Sequence, residues 1–128
     1  MQIEERNSYE RGVFDRFISL YPFFPKGKIE KSESPDFLLK ISRKKTIGIE
    51  LTSLQEPFVM NNFLNLLAKK EEKITLYRKK KLFQIWLLVS CTDISASEKK
   101  HCQNTNLQSG FDKIFVLTEY RNILIEVK

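Results

Sequence analysis

The chain has 128 residues, of which 41% are hydrophobic and 30% are charged, with only four glycines and four prolines. This composition excludes a disordered or low-complexity chain, and the length predicts one domain spanning residues 1–128. The apolar runs are far shorter than the roughly 18 residues that a membrane span needs, and residues 1–11 are too polar for a secretion signal. We therefore expect a cytoplasmic domain that makes no contact with a membrane.

The elements follow from the spacing of apolar residues along the chain. The pattern first predicts a helix over about 3–20, and then strands over about 36–41 and 47–52 that are joined by a polar turn at 42–45. A second helix is predicted over about 58–80, followed by a strand at 83–89 that is buried on both faces. The chain then continues with a short helix that begins with a Ser95–Glu98 capping box, and with strands at 113–117 and 123–127. This order predicts an α/β sandwich with a mixed sheet.

The net charge of +6 favours an anionic partner, and most of it lies between residues 69 and 81. That segment can be interpreted as a solvated helix face or as an edge that binds phosphates, and both interpretations stay open. Its basic residues are Lys69, Lys70, Lys73, Arg78, Lys79, Lys80 and Lys81.

Cysteine and histidine contribute little to the predicted chemistry. Cys91 and Cys102 are too few for a disulfide framework, and with His101, the single histidine, they match no zinc spacing. One histidine also leaves few routes to Ser–His or Cys–His catalysis. Any chemistry is therefore expected from carboxylates and lysines.

The first two predicted strands place two carboxylates side by side. In an antiparallel hairpin centred on Arg43, paired residue numbers sum to 86, so Asp36 lies opposite Glu50. Directly opposite side chains share one face of a sheet, and like charges there repel each other. A fold that keeps such a pair neutralises it with a metal ion or a lysine, and two carboxylates with a carbonyl and waters suit Mg²⁺. The alternative is that both carboxylates are solvated at the strand ends, since a slip of one residue changes every pairing.

The sequence around these carboxylates resembles the core motif of the PD-(D/E)xK nuclease superfamily. The matching segments are Glu33-Ser34-Pro35-Asp36-Phe37-Leu38-Leu39 and Ile47-Gly48-Ile49-Glu50-Leu51-Thr52, followed by a basic helix and a Trp-Leu-Leu-Val strand. The resemblance covers about residues 10–117. It implies a restriction endonuclease-like three-layer α/β/α core with a mixed central sheet.

The resemblance also implies a metal site and its ligands. Asp36, Glu50 and the backbone carbonyl of Leu51 would hold Mg²⁺ (or Mn²⁺). The family often adds a glutamate from the first helix, for which Glu10 fits best and Glu5 is the alternative. The same glutamates can also be explained as acids that favour the first turns of a helix.

Thr52 departs from the family pattern, because the signature lysine stands two residues after the glutamate. Some branches carry that lysine on the following helix, where Lys70 and Lys73 are the candidates. The spacing of Lys73 and Tyr77 resembles a Gln-x-x-x-Tyr element of exonuclease members. The alternatives are that these lysines only extend along the sheet, or that Thr52 marks an inactive member.

The predicted function is a metal-dependent nuclease, with nucleic acid as partner and DNA ahead of RNA. Its backbone contacts would come from Arg78, Lys79, Lys80, Lys81, Lys44 and Lys45. A chain this short is expected to act as a homodimer when it cuts two strands. The alternatives are a catalytically inactive nucleic-acid-binding module on the same fold, or a protein-interaction subunit.

Overall fold

A computed structural model describes residues 3–128; Met1 and Gln2, part of the polar segment tested for a secretion signal, lie outside it. The described helices are α1 Ile3–Leu20, α2 Met60–Glu71, α3 Ile74–Arg78 and α4 Ala96–Asn104. The described strands are β1 Lys28–Lys31, β2 Phe37–Lys40, β3 Thr46–Ser53, β4 Gln84–Cys91, β5 Lys113–Thr118 and β6 Leu124–Glu126.

The strands form one mixed, open, six-stranded sheet in which the spatial order follows the chain, from β1 to β6. β1–β2, β2–β3 and β5–β6 pair antiparallel, whereas β3–β4 and β4–β5 pair parallel. The parallel connections run through α2 and α3, and through α4, as crossovers require. The predicted α/β class with a mixed sheet is confirmed.

Helices cover both faces of the sheet. On one face, α1 packs through Val13, Phe14 and Phe17 against a core that includes Trp86 and Phe115. On the other face, α2, α3 and α4 cover a second core built on Leu87, Val89, Ile114 and Val116. Adjacent residues of β4 alternate between these two cores, and seven of its eight residues are buried. The continuous apolar run of β4 is therefore that of a central strand, as predicted.

Strand β1 was missed by the sequence prediction. It pairs with β2 at the edge of the sheet, from Lys28 opposite Lys40 to Lys31 opposite Phe37. Three of its four residues are charged and none is buried, so its apolar alternation is almost absent. Charged residues on an edge strand hinder pairing with other chains, and they also hide the strand from a hydrophobicity pattern.

The predicted single helix over 58–80 is wrong, because α2 ends at Glu71 and α3 starts at Ile74. Between them, the amides of Glu72 and Lys73 both donate to the carbonyl of Lys70, which tightens the chain into a short turn. Glu72 stays in the right-handed helical region, with φ −61° and ψ −23°, so the apolar stripe continues across the break. Periodicity alone could not detect this interruption.

The capping box predicted for the short helix is confirmed in one half. Ser95 caps α4 by accepting a hydrogen bond from the amide of Glu98 at 3.2 Å. The Glu98 carboxylate, however, accepts from the amide of Met60 at 3.2 Å, at the start of α2. Glu98 therefore connects two helices, and its negative charge interacts favourably with the positive end of the α2 helix dipole. Among residues 3–128, no helix combines the length and apolar character needed to cross a bilayer.

Candidate active site

The β2–β3 hairpin brings Asp36 and Glu50 together. The observed register pairs Phe37 with Ile49 and Leu38 with Gly48, which is the predicted register. Asp36 immediately precedes β2, and its Oδ2 accepts a hydrogen bond from the amide of Leu51 at 2.8 Å. The two carboxyl groups are therefore neighbours at one end of the hairpin.

Gly48 allows the segment before Asp36 to lie close against the sheet. A Cβ at position 48 would approach the Cγ of Pro35 and the Cδ1 of Leu82 to 2.7 Å each. Such distances are shorter than van der Waals contact, so a Cβ at this position would force its neighbours to shift. Since Pro35 is bonded to Asp36, the missing side chain at position 48 helps to position the carboxyl group.

Glu50 is buried, with only 3% of its surface exposed, and its charge is offset by two lysines. Its Oε2 accepts from the Nζ of Lys70 at 3.1 Å and from the Nζ of Lys73 at 3.3 Å. Lys70 lies in the last turn of α2, and Lys73 is the residue before α3. The short turn between the helices therefore directs both ammonium groups to one carboxylate.

The two carboxyl groups have opposite pKa shifts. Burial, followed by the repulsion of Glu50 and Glu10, raises the pKa of Asp36 to about 7, although the Leu51 amide partly opposes this. Burial also acts to raise the pKa of Glu50, but the hydrogen bond from Asp36 and the ammonium of Lys70 outweigh it and lower that pKa. Near neutral pH, Glu50 is therefore the carboxylate, and Asp36 is the group of this pair that titrates.

Glu10 reaches this site through a lysine. The Nζ of Lys31 lies 2.7 Å from Oε2 of Glu10 and 3.8 Å from Oδ1 of Asp36. Glu5 is exposed and does not line the cavity at the site, so Glu10 is the glutamate of α1 that belongs there. Sequence reasoning missed Lys31 because it missed β1, and the weak alternation in that strand was the only available signal.

These residues surround an open cavity of about 640 Å³, a volume in the range of ligand sites. It lies between the N-terminal half of α1, the start of β2 and the end of α2. Its acidic residues are Glu10, Glu33, Asp36 and Glu50, and its basic residues are Arg6, Lys31, Lys70 and Lys73. This equal mixture can bind a cation at the carboxylates and an anion at the lysines.

Tyr77 and Thr52 lie near Glu50 in different ways. Tyr77 is fully buried, and its hydroxyl has no hydrogen-bond partner within residues 3–128. Burial and the charge of Glu50 raise the pKa of Tyr77, although the neighbouring Ser34 acts in the opposite direction. Thr52 follows Glu50 on β3, and its backbone carbonyl accepts from the hydroxyl of Ser90 at 3.4 Å. The side chains that contact Glu50 are therefore those of Lys70 and Lys73.

Most of the predicted phosphate-binding residues are exposed, in the β2–β3 turn and in the segment after α3. Lys80 donates to the carbonyl of Ser34, close to Asp36. Lys45 lies over the ring of Phe83, 4.9 Å from its centroid, and so connects the β2–β3 turn with the segment after α3. Arg78 instead points its guanidinium toward Gly110. We call the exposed group Lys44, Lys45, Lys79, Lys80 and Lys81 the basic edge.

The residues that could hold a metal ion are the predicted ones, Asp36, Glu50 and the backbone carbonyl of Leu51. Within the part of the chain that the structure describes, no three His, Cys, Asp or Glu side chains are grouped to hold a metal. Cys91 and Cys102 are free and buried in the core. Asp36, Glu50 and the Leu51 carbonyl still suit a single Mg²⁺, because this ion retains several waters and needs few protein ligands.

Comparisons with known proteins return no match. No protein-family model matches this chain. No curated protein matches it, and no solved structure does.

Proposed function

We propose that this protein is a metal-dependent phosphodiester hydrolase that acts on nucleic acid, with a restriction endonuclease-like three-layer core. The proposal depends on one observation above all: a buried glutamate contacts two lysines and lies beside a carboxyl group with a raised pKa. Carboxyl groups with shifted pKa values that converge with lysines in a cavity are typical of catalytic sites. The basic edge beside that cavity supports a polyanionic substrate.

Asp36, Glu50 and the carbonyl of Leu51 would hold Mg²⁺ or Mn²⁺. When bound, such an ion polarises the phosphoryl group and lowers the pKa of an attacking water. Asp36 must lose its proton to act as a ligand, so the affinity for metal should increase as the pH rises through about 7. Below that pH, the proton on Asp36 and the lysines beside Glu50 offset the negative charge of the two carboxyl groups.

Lys70 and Lys73 have different surroundings and, in this proposal, different roles. The Lys70 side chain is 18% exposed and stays with Glu50, whereas that of Lys73 is 45% exposed at the cavity. Lys73 is therefore the cation that can contact a phosphoryl oxygen where negative charge develops. Lysines of the basic edge, Lys80 among them, would hold the neighbouring phosphates without reading sequence.

A second candidate function is nucleic-acid binding without catalysis. The observation that favours it is the complete pairing of Glu50 with two lysines, which neutralises this carboxylate without any metal. The threonine at position 52, where the family motif has lysine, agrees with this candidate. Both functions share the basic edge and differ at Glu50.

A cleavage assay distinguishes the two candidates. Labelled single-stranded DNA, plasmid DNA and RNA are incubated with Mg²⁺ or Mn²⁺ and with the wild type, Glu50→Gln or Lys73→Met. We expect metal-dependent cleavage, reduction to background by Glu50→Gln, and a loss of about 100-fold by Lys73→Met. Glu30→Gln is the matched control, because Glu30 forms its ion pairs with Lys28 and Lys40 and does not line the cavity. Nucleic-acid binding without cleavage of any substrate would favour the second candidate.

A further inference from the structure

A second groove, of about 450 Å³, lies at the end of β3 and β4 that is opposite the carboxyl pair. Its apolar lining comes from the loop after α1, the end of the β2–β3 hairpin and the start of β4. The aromatic residues that line it are Tyr21, Phe23, Phe83 and Trp86. None of the residues assigned to the hydrolytic site lines this groove.

Two of these aromatic side chains are unusually exposed. Phe23 has 77% of its surface exposed and Phe83 has 49%, whereas Tyr21 and Trp86 are buried beneath them. The ring of Tyr21 lies 6.0 Å from that of Phe23 and 6.1 Å from that of Trp86, both edge to face. The groove therefore has an ordered aromatic floor with two phenyl rings open to solvent, which is a feature of interaction sites.

The charge around the groove indicates the chemistry of its partner. Lys45 lies over the Phe83 ring, and two further exposed lysines adjoin these residues in sequence: Lys44 precedes Lys45, and Lys81 lies two residues before Phe83. In the described chain, none of these three lysines forms an ion pair with a carboxylate. Lys113, which also lines the groove, is paired with Glu126. A second copy of a chain with net charge +6 would be repelled here, whereas an anionic and aromatic ligand is complementary in both respects.

We propose that this groove binds unpaired bases of a single-stranded nucleic acid. Bases would stack on Phe83 and Phe23, and the adjoining phosphates would contact Lys44, Lys45 and Lys81, as in proteins that combine aromatic platforms with basic grooves. This inference rests on the proposed function and specifies its substrate class as a single strand or a frayed end.

The two sites are close enough to act on one strand. Ile47 lines the groove, and Glu50 is three residues further along β3, a rise of roughly 10 Å. The side chains point to opposite faces of the sheet, and the basic edge extends from Phe83 to Ser34, beside Asp36. A strand anchored in the groove would follow the basic edge to the carboxyl pair.

The test uses Trp86, the only tryptophan in the chain, as a probe inside the groove. Its fluorescence is titrated with an oligothymidine of about 12 nucleotides, and with a duplex of equal length, in EDTA. We expect the single strand to change the fluorescence and bind more tightly than the duplex. Phe83→Ala and Phe23→Ala should each weaken single-strand binding by about fivefold or more and leave duplex binding within about twofold.

Leu76→Ala is the matched control, because Leu76 is 57% exposed on α3 and does not line the groove. Equal binding by Phe83→Ala, Leu76→Ala and the wild type would overturn the inference. The inference would also be overturned if sedimentation shows that the wild type is a dimer and that Phe83→Ala is a monomer, because the groove would then be a subunit interface.

Failure of this inference is separable from failure of the proposed function. If cleavage depends on Glu50, and Phe83→Ala changes neither cleavage nor single-strand binding, the hydrolase proposal stands and the groove proposal fails. If single-strand binding depends on Phe83 and no substrate is cleaved, the groove proposal stands and the hydrolase proposal fails.

Discussion

At the scale of single residues, Glu50 is the charged residue that is buried within the described part of the chain. Its carboxylate is almost fully removed from water, and the ammonium groups of Lys70 and Lys73 replace the lost solvation. Removing one partner of a buried ion pair leaves an uncompensated charge, which costs more than the pair contributes. The loss of stability on substitution should therefore be larger for the more buried of the two lysines.

Lys70→Met is expected to lower the free energy of unfolding by about 2 kcal/mol at neutral pH, because Lys70 is the more buried partner. Lys73→Met should cost about 1 kcal/mol or less, since its side chain is 45% exposed and solvent screens its charge. Urea unfolding of the two variants measures both effects. In a Glu50→Gln background the cost of Lys70→Met should largely vanish, and an unchanged cost would contradict the pairing.

Asp36 makes stability depend on pH in the direction opposite to an ordinary ion pair. Its pKa is about 7 in the folded protein against an ordinary value of 3.8, so between these values the folded state binds a proton that the unfolded state has released. Raising the pH through this window therefore lowers stability. Glu50, with a lowered pKa, contributes stability that is present above 4.5 and is lost only at lower pH.

We expect the wild type to lose on the order of 2 kcal/mol of stability between pH 5 and pH 8 through Asp36. Asp36→Asn keeps an oxygen for the Leu51 amide but cannot titrate, so its stability should vary much less over this range. Urea unfolding at pH 5, 6, 7 and 8 measures the difference. Parallel pH profiles for the two proteins would show that Asp36 has an ordinary pKa.

At the scale of elements, the β2–β3 hairpin depends on a glycine. Gly48→Ala must displace Pro35 or Leu82, and we expect it to cost about 1–3 kcal/mol of stability and to shift Asp36. Gly12→Ala is the matched control in α1, where a Cβ would meet nothing within 4 Å. That change should instead stabilise the protein by about 0.5–1 kcal/mol, because alanine is the better helix former.

Thermal unfolding of the two glycine variants gives the comparison. A destabilised Gly48→Ala that also loses the titration near pH 7 would support the link between Pro35 and Asp36. Equal stability of both alanine variants would contradict the close contact at Gly48.

The strands and helices differ in how well they could be predicted from the sequence. Alternation identified β2 and β3 and their register because one face of each strand is buried, through Phe37, Leu39, Ile47 and Ile49. It failed for β1, whose charged residues carry no such signal. The break between α2 and α3 was also hidden, because the turn at Glu72 and Lys73 preserves the phase of the apolar stripe.

At the scale of the whole molecule, the positive charge should make binding to nucleic acid sensitive to salt. Five phosphate contacts from the basic edge predict a slope of about −3.5 in a plot of log affinity against log salt concentration for a single strand. Lys80→Ala combined with Lys81→Ala should reduce that slope by about 1 to 2. Anisotropy titrations of a labelled oligonucleotide at several salt concentrations measure it.

A matched pair of lysines lies elsewhere on the surface. Lys99→Ala combined with Lys100→Ala removes the same charge from α4 and should leave the slope unchanged. An equal reduction by both double variants would show that net charge, and not the basic edge, determines binding.

The candidate site was partly predictable at this scale. The pairing of Asp36 with Glu50 followed from the alternation of apolar residues, because the strand register depends on which face is buried. Lys31, Arg6 and the place of Glu10 depend on how α1 lies against β1 and β2, which no local pattern encodes. The exposed rings of Phe23 and Phe83 become a groove only once distant segments meet.

The most direct test of the central claim is calorimetric titration of Mg²⁺ and Mn²⁺ into the wild type and Glu50→Gln at pH 8. This pH lies above the pKa of Asp36, so the carboxyl pair is ionised. The account predicts one bound divalent ion per chain in the wild type and none in Glu50→Gln, with weaker binding at pH 6. A wild type that binds no divalent ion, even with a single-stranded oligonucleotide present, would contradict the hydrolase and leave the basic edge as a binding surface alone.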